Sequence, residues 1–376
     1  MQVKTLSKSL FTLDSADTVQ YINGYLPVGV DLAKFSIQIY CYNFKSKKFS
    51  SKALTRDGFT KFLQESDKPL LVAFESGSSC HYWARQCIKY NHKVRLITTR
   101  FVASVKDMNK DDPHDAKLIY RACFADGCKE IGVKTEQEQL LNMILRLRDQ
   151  ILKDRVKMTN LWKAAIHEIG EPVRCGIKEF RQHAHDLADD PDHVRDDSKE
   201  FLGMINEFAS SHMDDCDAKV AKIDEYITKV AREDEACKLL MTIPAVKEFS
   251  AFCLMVSLCN LDNFKNGSYY ASLMGYAPRH RGTGGSNYTI KAAPVGHKTV
   301  KKCYFFIAMA MYRKIKKQDK FENCWLHRMV KEKSGKVAIC AIANKLCCTA
   351  YSMLKNKQPF DMDEFKGIYK EQKVEP

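Results

Sequence analysis

The sequence lacks several features that mark secreted, zinc-binding and membrane proteins. It contains 15 cysteines but no CxxC pair, and Cys123 and Cys128, spaced C-x4-C, have no second pair that would complete a zinc site. The opening residues contain no long apolar stretch typical of a secretory signal, and no apolar run approaches the roughly 18 residues of a membrane span. These absences predict a reduced cytoplasmic protein without a structural metal or a membrane segment.

Acidic residues are scarce relative to basic ones. Of the 376 residues, 60 are lysine or arginine and 46 are aspartate or glutamate, which gives a net charge of +14. The hydrophobic content of 45% is ordinary for a globular protein and argues against disorder. A cationic excess of this size is attracted to phosphate and favours a nucleic-acid partner, the alternative being a basic surface that only maintains solubility.

The chain divides by pattern into an α/β part followed by helical parts. Residues 1–26 are predicted to be an N-terminal extension, and residues 27–134 alternate in the order β-β-β-α-β-α-β-α. Residues 135–237 have helical periodicity, and residues 238–358 form a mostly helical C-terminal domain. Residues 359–376 are predicted to be a peripheral tail. The fold class expected is therefore α/β plus α.

Two long helices dominate the middle of the chain. The first is predicted over residues 135–170, because Thr135 and Glu138 match a capping box and Gly170 follows the last periodic residue. A second helix has apolar residues at three- and four-residue steps from Val220 to Val230, and a linker rich in His and Asp, RQHAHDLADDPDHVRDD, separates the two. We expect an antiparallel coiled-coil arm, with two ordinary core helices as the alternative.

Carboxylates follow buried strands at several places. Asp31 ends the apolar run VGVD, Glu75 ends VAFE, and Asp112 and Asp115 lie three residues apart, on one face of the helix that follows the fifth strand. Four clustered carboxylates repel one another unless cations neutralise them, and Mg²⁺ prefers such oxygen ligands. The pattern favours a Mg²⁺ site for phosphoryl transfer. Taken alone, the Asp112–Asp115 pair also fits an acidic first turn that the helix dipole stabilises.

An ordered set of motifs covers roughly residues 27–356. The set resembles the DEDD transposases of the IS110 insertion-sequence family, in particular its IS1111 group, to which pilin-gene invertases are related. The motifs that carry this resemblance are GVDLAK, AFESGSSCHYWARQC, HKVRLITTRFVASVKDMNKDDPHDAKLI, VKTEQEQLLNMILRLRDQILKDR, AREDEACKLLMTIPAV, FKNGSYYASLMGYAPRH, GTGG and KVAICAIANKLCCTAYSML.

The resemblance implies a fold, a reaction and partners. It implies an RNase H-like (RuvC-like) domain whose acids Asp31, Glu75, Asp112 and Asp115 bind Mg²⁺. The implied activity is DNA recombination through a covalent hydroxyl–phosphate intermediate, guided by a non-coding bridge RNA that pairs with target and donor DNA. A homodimer or homotetramer with composite active sites, located at the bacterial nucleoid, is implied as well. The alternatives are a DNA invertase whose protein reads the target, a plain RuvC-like nuclease, and a domesticated RNA- or DNA-binding protein without strand exchange.

The sequence departs from the family where the resemblance implies a nucleophilic serine before a glycine pair. That stretch reads PRHRGTGG, so Thr283 holds the position, or Gly282 holds it and the hydroxyl is missing. Ser286 could replace it after a loop shift. The extra methyl group of threonine crowds its Oγ and restricts its χ1 rotamer.

Basic residues near this stretch are the candidates for nucleic-acid contact. Arginine suits phosphate because it forms bidentate hydrogen bonds, and clustered lysines attract nucleic acid electrostatically. Lys247 stands in TIPAVK, where relatives have a glycine-rich turn, and a cation there could replace backbone contacts to phosphate. For Arg279, His280 and Arg281, the alternative is a basic surface loop without a nucleic-acid contact. The candidates are Lys247, Arg279, His280, Arg281, Arg313, Lys314, Lys316 and Lys317.

Overall fold

A computed structural model gives the fold of the chain. It describes residues 21–105, 112–125, 127–128, 130–171, 176–189, 196–277, 297–317 and 324–367. The chain forms two compact units, unit 1 over Met1–Gln139 and unit 2 over Leu140–Pro376.

Unit 1 is built on a mixed sheet of six strands within its described residues. The strands are β1 (Leu26–Leu32), β2 (Ile37–Asn43), β3 (Lys48–Leu54), β4 (Leu70–Glu75), β5 (Lys93–Ile97) and β6 (Glu130–Ile131). Their order across the sheet is β3-β2-β1-β4-β5-β6. Strands β1, β4 and β5 run parallel, whereas β2, β3 and β6 pair antiparallel with their neighbours. This arrangement places the carboxyl ends of β1 and β4 side by side.

Helices cover both faces of this sheet. They are α1 (Arg56–Gln64), α2 (Cys80–Lys89), α3 (Thr99–Val105) and α4 (Asp112–Ala122). Val28, Val30 and Phe74 point to one face, where they pack with Phe59 of α1 and Trp83 of α2 in one buried cluster. Helix α4 packs on the opposite face. The predicted order of strands and helices is confirmed, and α3 and β6 are additional elements.

Unit 2 is helical throughout its described residues. Its helices are α5 (Glu136–Glu168, which begins at the end of unit 1), α6 (Ile177–Asp189), α7 (Asp196–Glu233), α8 (Glu235–Leu240), α9 (Glu248–Leu258), α10 (Gly267–Leu273), α11 (Lys298–Lys316), α12 (Trp325–Glu332), α13 (Gly335–Asn356) and α14 (Met362–Lys366), with a 3₁₀ turn at Leu261–Asn263. The first long helix agrees with its prediction. Thr135 and Glu138 exchange the hydrogen bonds of a capping box at 2.9 and 3.2 Å, and Gly170 follows with a φ of +94°.

Helices α5 and α7 lie side by side and antiparallel. Arg148 pairs with Asp224 through two hydrogen bonds of 2.6 and 2.7 Å. Arg155, seven residues further along α5, pairs with Asp217. Numbers rise along α5 while they fall along α7, which fixes the antiparallel direction.

The prediction of a linker between the two long helices is partly wrong. Residues 181–189 belong to α6, and α7 begins at Asp196. Phe180, Ala184 and Leu187 recur at helical spacing and are buried, so the segment has a packed face. The surrounding His and Asp residues occupy the other face and concealed this pattern in the sequence.

Helix α13 qualifies the expectation that no membrane segment exists. It is the one helix, in the described part of the chain, that is long and apolar enough to cross a membrane. Ile342, Leu346 and Cys347 are nevertheless buried in the core of unit 2, where α13 packs against α10 and α11. Core packing accounts for its apolar composition.

Candidate active site

Asp31 and Glu75 stand at the carboxyl ends of two neighbouring parallel strands. The pairing of β1 with β4 aligns Val30 with Phe74, so the two carboxylates are the next residue on each strand. Successive side chains alternate between the faces of a sheet. Because Val30 and Phe74 lie in the core with α1 and α2, Asp31 and Glu75 point to the opposite face. Both are half-buried, which suits a site that must admit a substrate.

Helix α4 packs directly on that face because β1 has a glycine there. Gly29 precedes Asp31 by two residues, so both positions face α4. A Cβ atom built on Gly29 would stand 2.5 Å from the backbone nitrogen of Tyr120 and closer still to the carbonyl oxygen of Ala116. Only a residue without a Cβ allows the helix backbone to approach this closely. The glycine therefore sets the distance between the helix that carries Asp115 and the strand that carries Asp31.

The direction of α4 places its first turn near the carboxylates of the strands. Ile22, which precedes β1, packs against the cluster that contains Ile119 and Ala122 at the end of α4. The helix thus runs opposite to β1, and its beginning lies toward the carboxyl ends of the strands. Asp115 is half-buried there. Asp112 is the first residue of α4, but its side chain lies outside the described residues.

The structure therefore brings the strand acids and the start of α4 to one edge of the sheet. Among the described residues, however, no three His, Cys, Asp or Glu side chains are grouped closely enough to hold a metal ion. The donor type itself, half-buried carboxylate oxygens on one face of the sheet, fits Mg²⁺ rather than a thiolate-preferring metal.

The loop after Glu75 is anchored by contacts that the sequence did not reveal. The Ser76 amide donates to the Ile97 carbonyl oxygen at 2.7 Å, and the Thr99 hydroxyl donates to the Ser76 carbonyl oxygen at 3.0 Å. The Thr99 amide also approaches the Ser76 hydroxyl at 3.3 Å. These bonds fix the backbone directly after Glu75. No local pattern signals them, because the partners are separated by more than 20 residues.

Cys123 and Cys128 do not form a zinc site with other described residues. Burial raises the pKa of the Cys123 thiol to about 12 and that of Cys128 to about 11. Both thiols are therefore protonated near neutral pH in the metal-free protein.

The basic cluster at the end of α11 lies on the surface. Arg313, Lys314, Lys316 and Lys317 are exposed, while Ile315 between them is buried in the core. One face of the last turn is thus anchored and the other presents four cations to solvent. Thr283, Ser286, Arg279, His280 and Arg281 lie outside the described residues, so their roles stay predictions.

The turn before α9 keeps a conformation that glycine favours. Ala245 has a φ of +70°, although it carries a Cβ. Lys247 is exposed and is the N-cap of α9, and its backbone amide donates to the Ser250 hydroxyl at 3.2 Å. The turn therefore adopts a left-handed conformation at a residue that has a Cβ, and Lys247 presents a cation beside it.

Comparison with protein families extends these observations. A model described as the DEDD transposase of IS110 matches residues 28–170, and a model described as the IS116/IS110/IS902 transposase family matches residues 237–323. The chain belongs to the IS110 family of transposases. The first region contains all four acids predicted from the sequence, and the second contains Thr283 and Ser286.

Individual relatives of this IS110-family chain align along most of its length. It is 26% identical over 324 residues to the transposase of insertion sequence element IS1328 from Yersinia enterocolitica, which covers 86% of this chain and 95% of that protein. It is 21% identical to the transposase of element IS1111A from Coxiella burnetii, over 89% and 90% of the two chains. A pilin gene-inverting protein of Moraxella bovis is 23% identical over 74% of this chain and 79% of its own length.

Proposed function

We propose that the protein is a site-specific DNA recombinase that acts as a transposase, with Asp31, Glu75, Asp112 and Asp115 as its metal-binding acids. The observation that carries the proposal is the pairing of Asp31 and Glu75 at one sheet edge, on the face where α4 begins. The strand order, with three parallel strands flanked by an antiparallel hairpin, supports an RNase H-like, RuvC-like domain. Membership of the IS110 transposase family supports the same reaction class.

The chemistry follows from the residues that the site brings together. The four acids would hold Mg²⁺, which when bound polarises a phosphodiester and stabilises the negative charge that develops on it. The Gly29–α4 contact keeps Asp115 at a fixed distance from Asp31, and the Ser76–Thr99 bonds keep the Glu75 backbone in place.

A protein hydroxyl would complete the reaction. The hydroxyl of Thr283, or of Ser286, would attack the phosphorus and displace a strand oxygen, which leaves with the proton as a free hydroxyl. The covalent protein–DNA bond stores the energy of the broken phosphodiester for strand joining.

The partners are part of the proposal. We infer that the exposed cations Arg313, Lys314, Lys316 and Lys317, together with Lys247, contact nucleic-acid backbone. Arg279, His280 and Arg281 are proposed for the same role from sequence alone. The nucleic acids are target DNA, donor DNA and a guiding bridge RNA, and the location is the bacterial cytoplasm at the nucleoid.

The helical arm supports self-association. Helix α7 exposes Phe201, Met204, Ile205 and Phe208, which recur at helical spacing on one face. An apolar stripe of this kind on a monomer marks an interaction surface. We propose that the antiparallel pair α5–α7 is the coiled-coil arm and that it contributes to a homodimer or homotetramer.

A second candidate function is DNA inversion read by the protein itself. The similarity to the pilin gene-inverting protein favours it. Both functions use the same four acids, but only the bridge-guided recombinase requires a specific RNA. The presence of such an RNA therefore distinguishes them.

The decisive experiment expresses the chain with its native flanking DNA and assays strand cleavage and covalent protein–DNA adducts in Mg²⁺. Asp31→Asn and Glu75→Gln should each abolish cleavage and adduct formation. Asp67→Asn, at an exposed acid that precedes β4, is the matched control and should keep full activity. Cleavage that persists in both site variants at the wild-type rate would refute the proposed metal site.

The same preparation tests the nucleophile and the guide. Thr283→Ala should abolish the adduct if Thr283 attacks, and Ser286→Ala should do so if Ser286 attacks. An adduct that survives the double variant excludes both residues. Sequencing of the co-purified RNA should return one discrete structured RNA for a bridge-guided recombinase and random cellular RNA for a protein-read invertase.

A further inference from the structure

A basic cavity lies between α11 and α12 in unit 2. Its volume is about 340 Å³, and its lining includes Tyr312, Lys316, His327, Lys331 and Lys333. We name it the α11–α12 pocket. Three lysine side chains therefore border one cavity, and none of its lining residues in the described part of the chain bears a carboxylate. A cavity whose walls bear one sign of charge concentrates ligands of the opposite sign.

The pocket also adjoins the beginning of a long helix. Helix α13 has 22 residues, its first turn contains no acidic residue, and the side chain of its N-cap, Ser334, makes no capping hydrogen bond. A Cβ atom built on Gly335 would stand 3.3 Å from the Tyr312 hydroxyl, which places this helix start against the pocket wall. The positive end of the helix dipole thus adds to the field of the lysines.

A largely buried histidine adds a polar group to the wall of the pocket. His327 lines the pocket although it is only 9% exposed. Its backbone amide donates to the Cys324 sulfur, but within the described part of the chain its imidazole has no hydrogen-bond partner. Its ring nitrogens are not fully enclosed by the protein, so they can hydrogen-bond to a ligand that enters the pocket.

We propose that the α11–α12 pocket binds one phosphodiester group of a nucleic-acid strand, which Lys316, Lys331 and Lys333 neutralise and to which Tyr312 and His327 hydrogen-bond. The apolar side chains Ile315 and Val330, which complete the lining, would contact the adjoining sugar. The inference rests on the proposed function, because both require that the protein binds nucleic acid. It places one phosphate in a defined pocket rather than on a diffuse basic surface. It gives a role in nucleic-acid binding to Lys331 and Lys333, which lie outside the cluster at the end of α11.

The test compares two charge-matched double variants of the full-length protein. One is Lys331→Gln with Lys333→Gln, and the control is Lys265→Gln with Lys355→Gln, two exposed lysines elsewhere in unit 2. Fluorescence anisotropy measures the binding of labelled single-stranded DNA and RNA of identical sequence at several salt concentrations. The pocket variant should weaken binding by about tenfold or more and reduce the salt slope by about 1, whereas the control should change affinity by less than about threefold.

The outcomes separate this inference from the proposed function. Equal losses in both double variants would overturn the pocket and indicate a diffuse cationic field. A loss for RNA alone assigns the phosphate to RNA, and a loss for DNA alone assigns it to DNA; either outcome supports the pocket. Absence of nucleic-acid binding by the wild-type protein would instead refute the proposed function. His327→Asn is a second variant with unchanged lysine charge, and a loss of affinity in it supports a built site.

Discussion

Gly29 of β1 and Ala116 of α4 touch backbone to backbone, although 86 residues separate them in the chain. The carbonyl oxygen of Ala116 occupies the space that a side chain on Gly29 would need. Since Asp31 follows Gly29 on the same face and Asp115 precedes Ala116, this contact determines how far apart the two carboxylates lie. The glycine is thus a structural requirement of the proposed site and not only of the fold.

Substitution of this glycine tests that requirement. Gly29→Ala should displace α4 and destabilise unit 1 by about 1–3 kcal/mol, because the added methyl group overpacks a backbone contact. DNA cleavage should fall further than the folded fraction does. Urea unfolding and a cleavage assay at matched folded concentrations measure both effects. Gly203→Ala in α7 is the control, since no atom lies within 4 Å of its added Cβ, and it should be neutral or stabilising.

A histidine near the loop after Glu75 should make stability depend on pH. Burial first, and then the charges of Lys134 and Arg85, lower the pKa of His81 from 6.5 to about 4. Neutral His81 accepts a hydrogen bond from the Lys134 amide at 3.2 Å. The unfolded state takes up a proton below pH 6.5 while the folded state resists until about pH 4. The stability that His81 contributes is therefore complete above pH 6.5 and is lost as the pH falls toward 4.

The His81 prediction is checked by urea midpoints of unit 1 between pH 7 and pH 5. The wild-type midpoint should fall over this range. His81→Asn, which keeps an acceptor but cannot be protonated, should show a smaller fall. Parallel curves for the two proteins would exclude His81 as the cause.

A buried amide connects three helices of unit 2. The Trp162 indole donates to the Asn206 side-chain oxygen at 2.7 Å, and the Asn206 amide donates to the Ala184 carbonyl oxygen. Asn206→Ala would leave the indole N–H and the carbonyl buried without partners, so we expect a loss of about 2–4 kcal/mol in the free energy of unfolding. Thermal or urea unfolding measures it. A loss below about 1 kcal/mol would mean that water replaces both hydrogen bonds.

The strained turn before α9 predicts a gain in stability. Ala245→Gly should stabilise the protein by about 1 kcal/mol, because glycine adopts the observed φ of +70° without the steric penalty of a Cβ. The matched control is Ala125→Gly, at a turn residue outside the positive-φ set, and it should destabilise slightly. If Ala245→Gly destabilises as much as its control does, the strain at Ala245 is not present in solution.

Local patterns in the sequence were sufficient to predict the helices and strands, but not the contacts between them. The apolar runs that end in Asp31 and Glu75 predicted two buried strands, and Thr135 with Glu138 predicted the start of α5 correctly. The role of Gly29 could not be predicted, because a glycine in a strand is compatible with a bulge, a bend or a close approach. Only the tertiary fold shows that α4 fills the space beside it.

The missed helix and the loop anchors have the same explanation. The sequence indicates a linker where most of α6 lies, because His and Asp residues on its polar face dominate the pattern, whereas Phe180, Ala184 and Leu187 face the core. Ser76 and Thr99 are small polar residues that are common in loops, so their pairing carries no sequence signal. The acids were visible because a carboxylate directly after an apolar run is unusual, and the basic cluster on α11 was visible by density of charge alone.

The alignment of Val30 with Phe74 restricts how the chain length can vary. Because side chains alternate along a strand, one residue inserted into β1 or β4 would turn Asp31 or Glu75 to the other face of the sheet. Insertions in the turn at residues 33–36 or between residues 76 and 92 leave both carboxylates in place. Length differences among members of the family should therefore be confined to turns and helices, and these two strands are the segments on which distant relatives can be aligned without gaps.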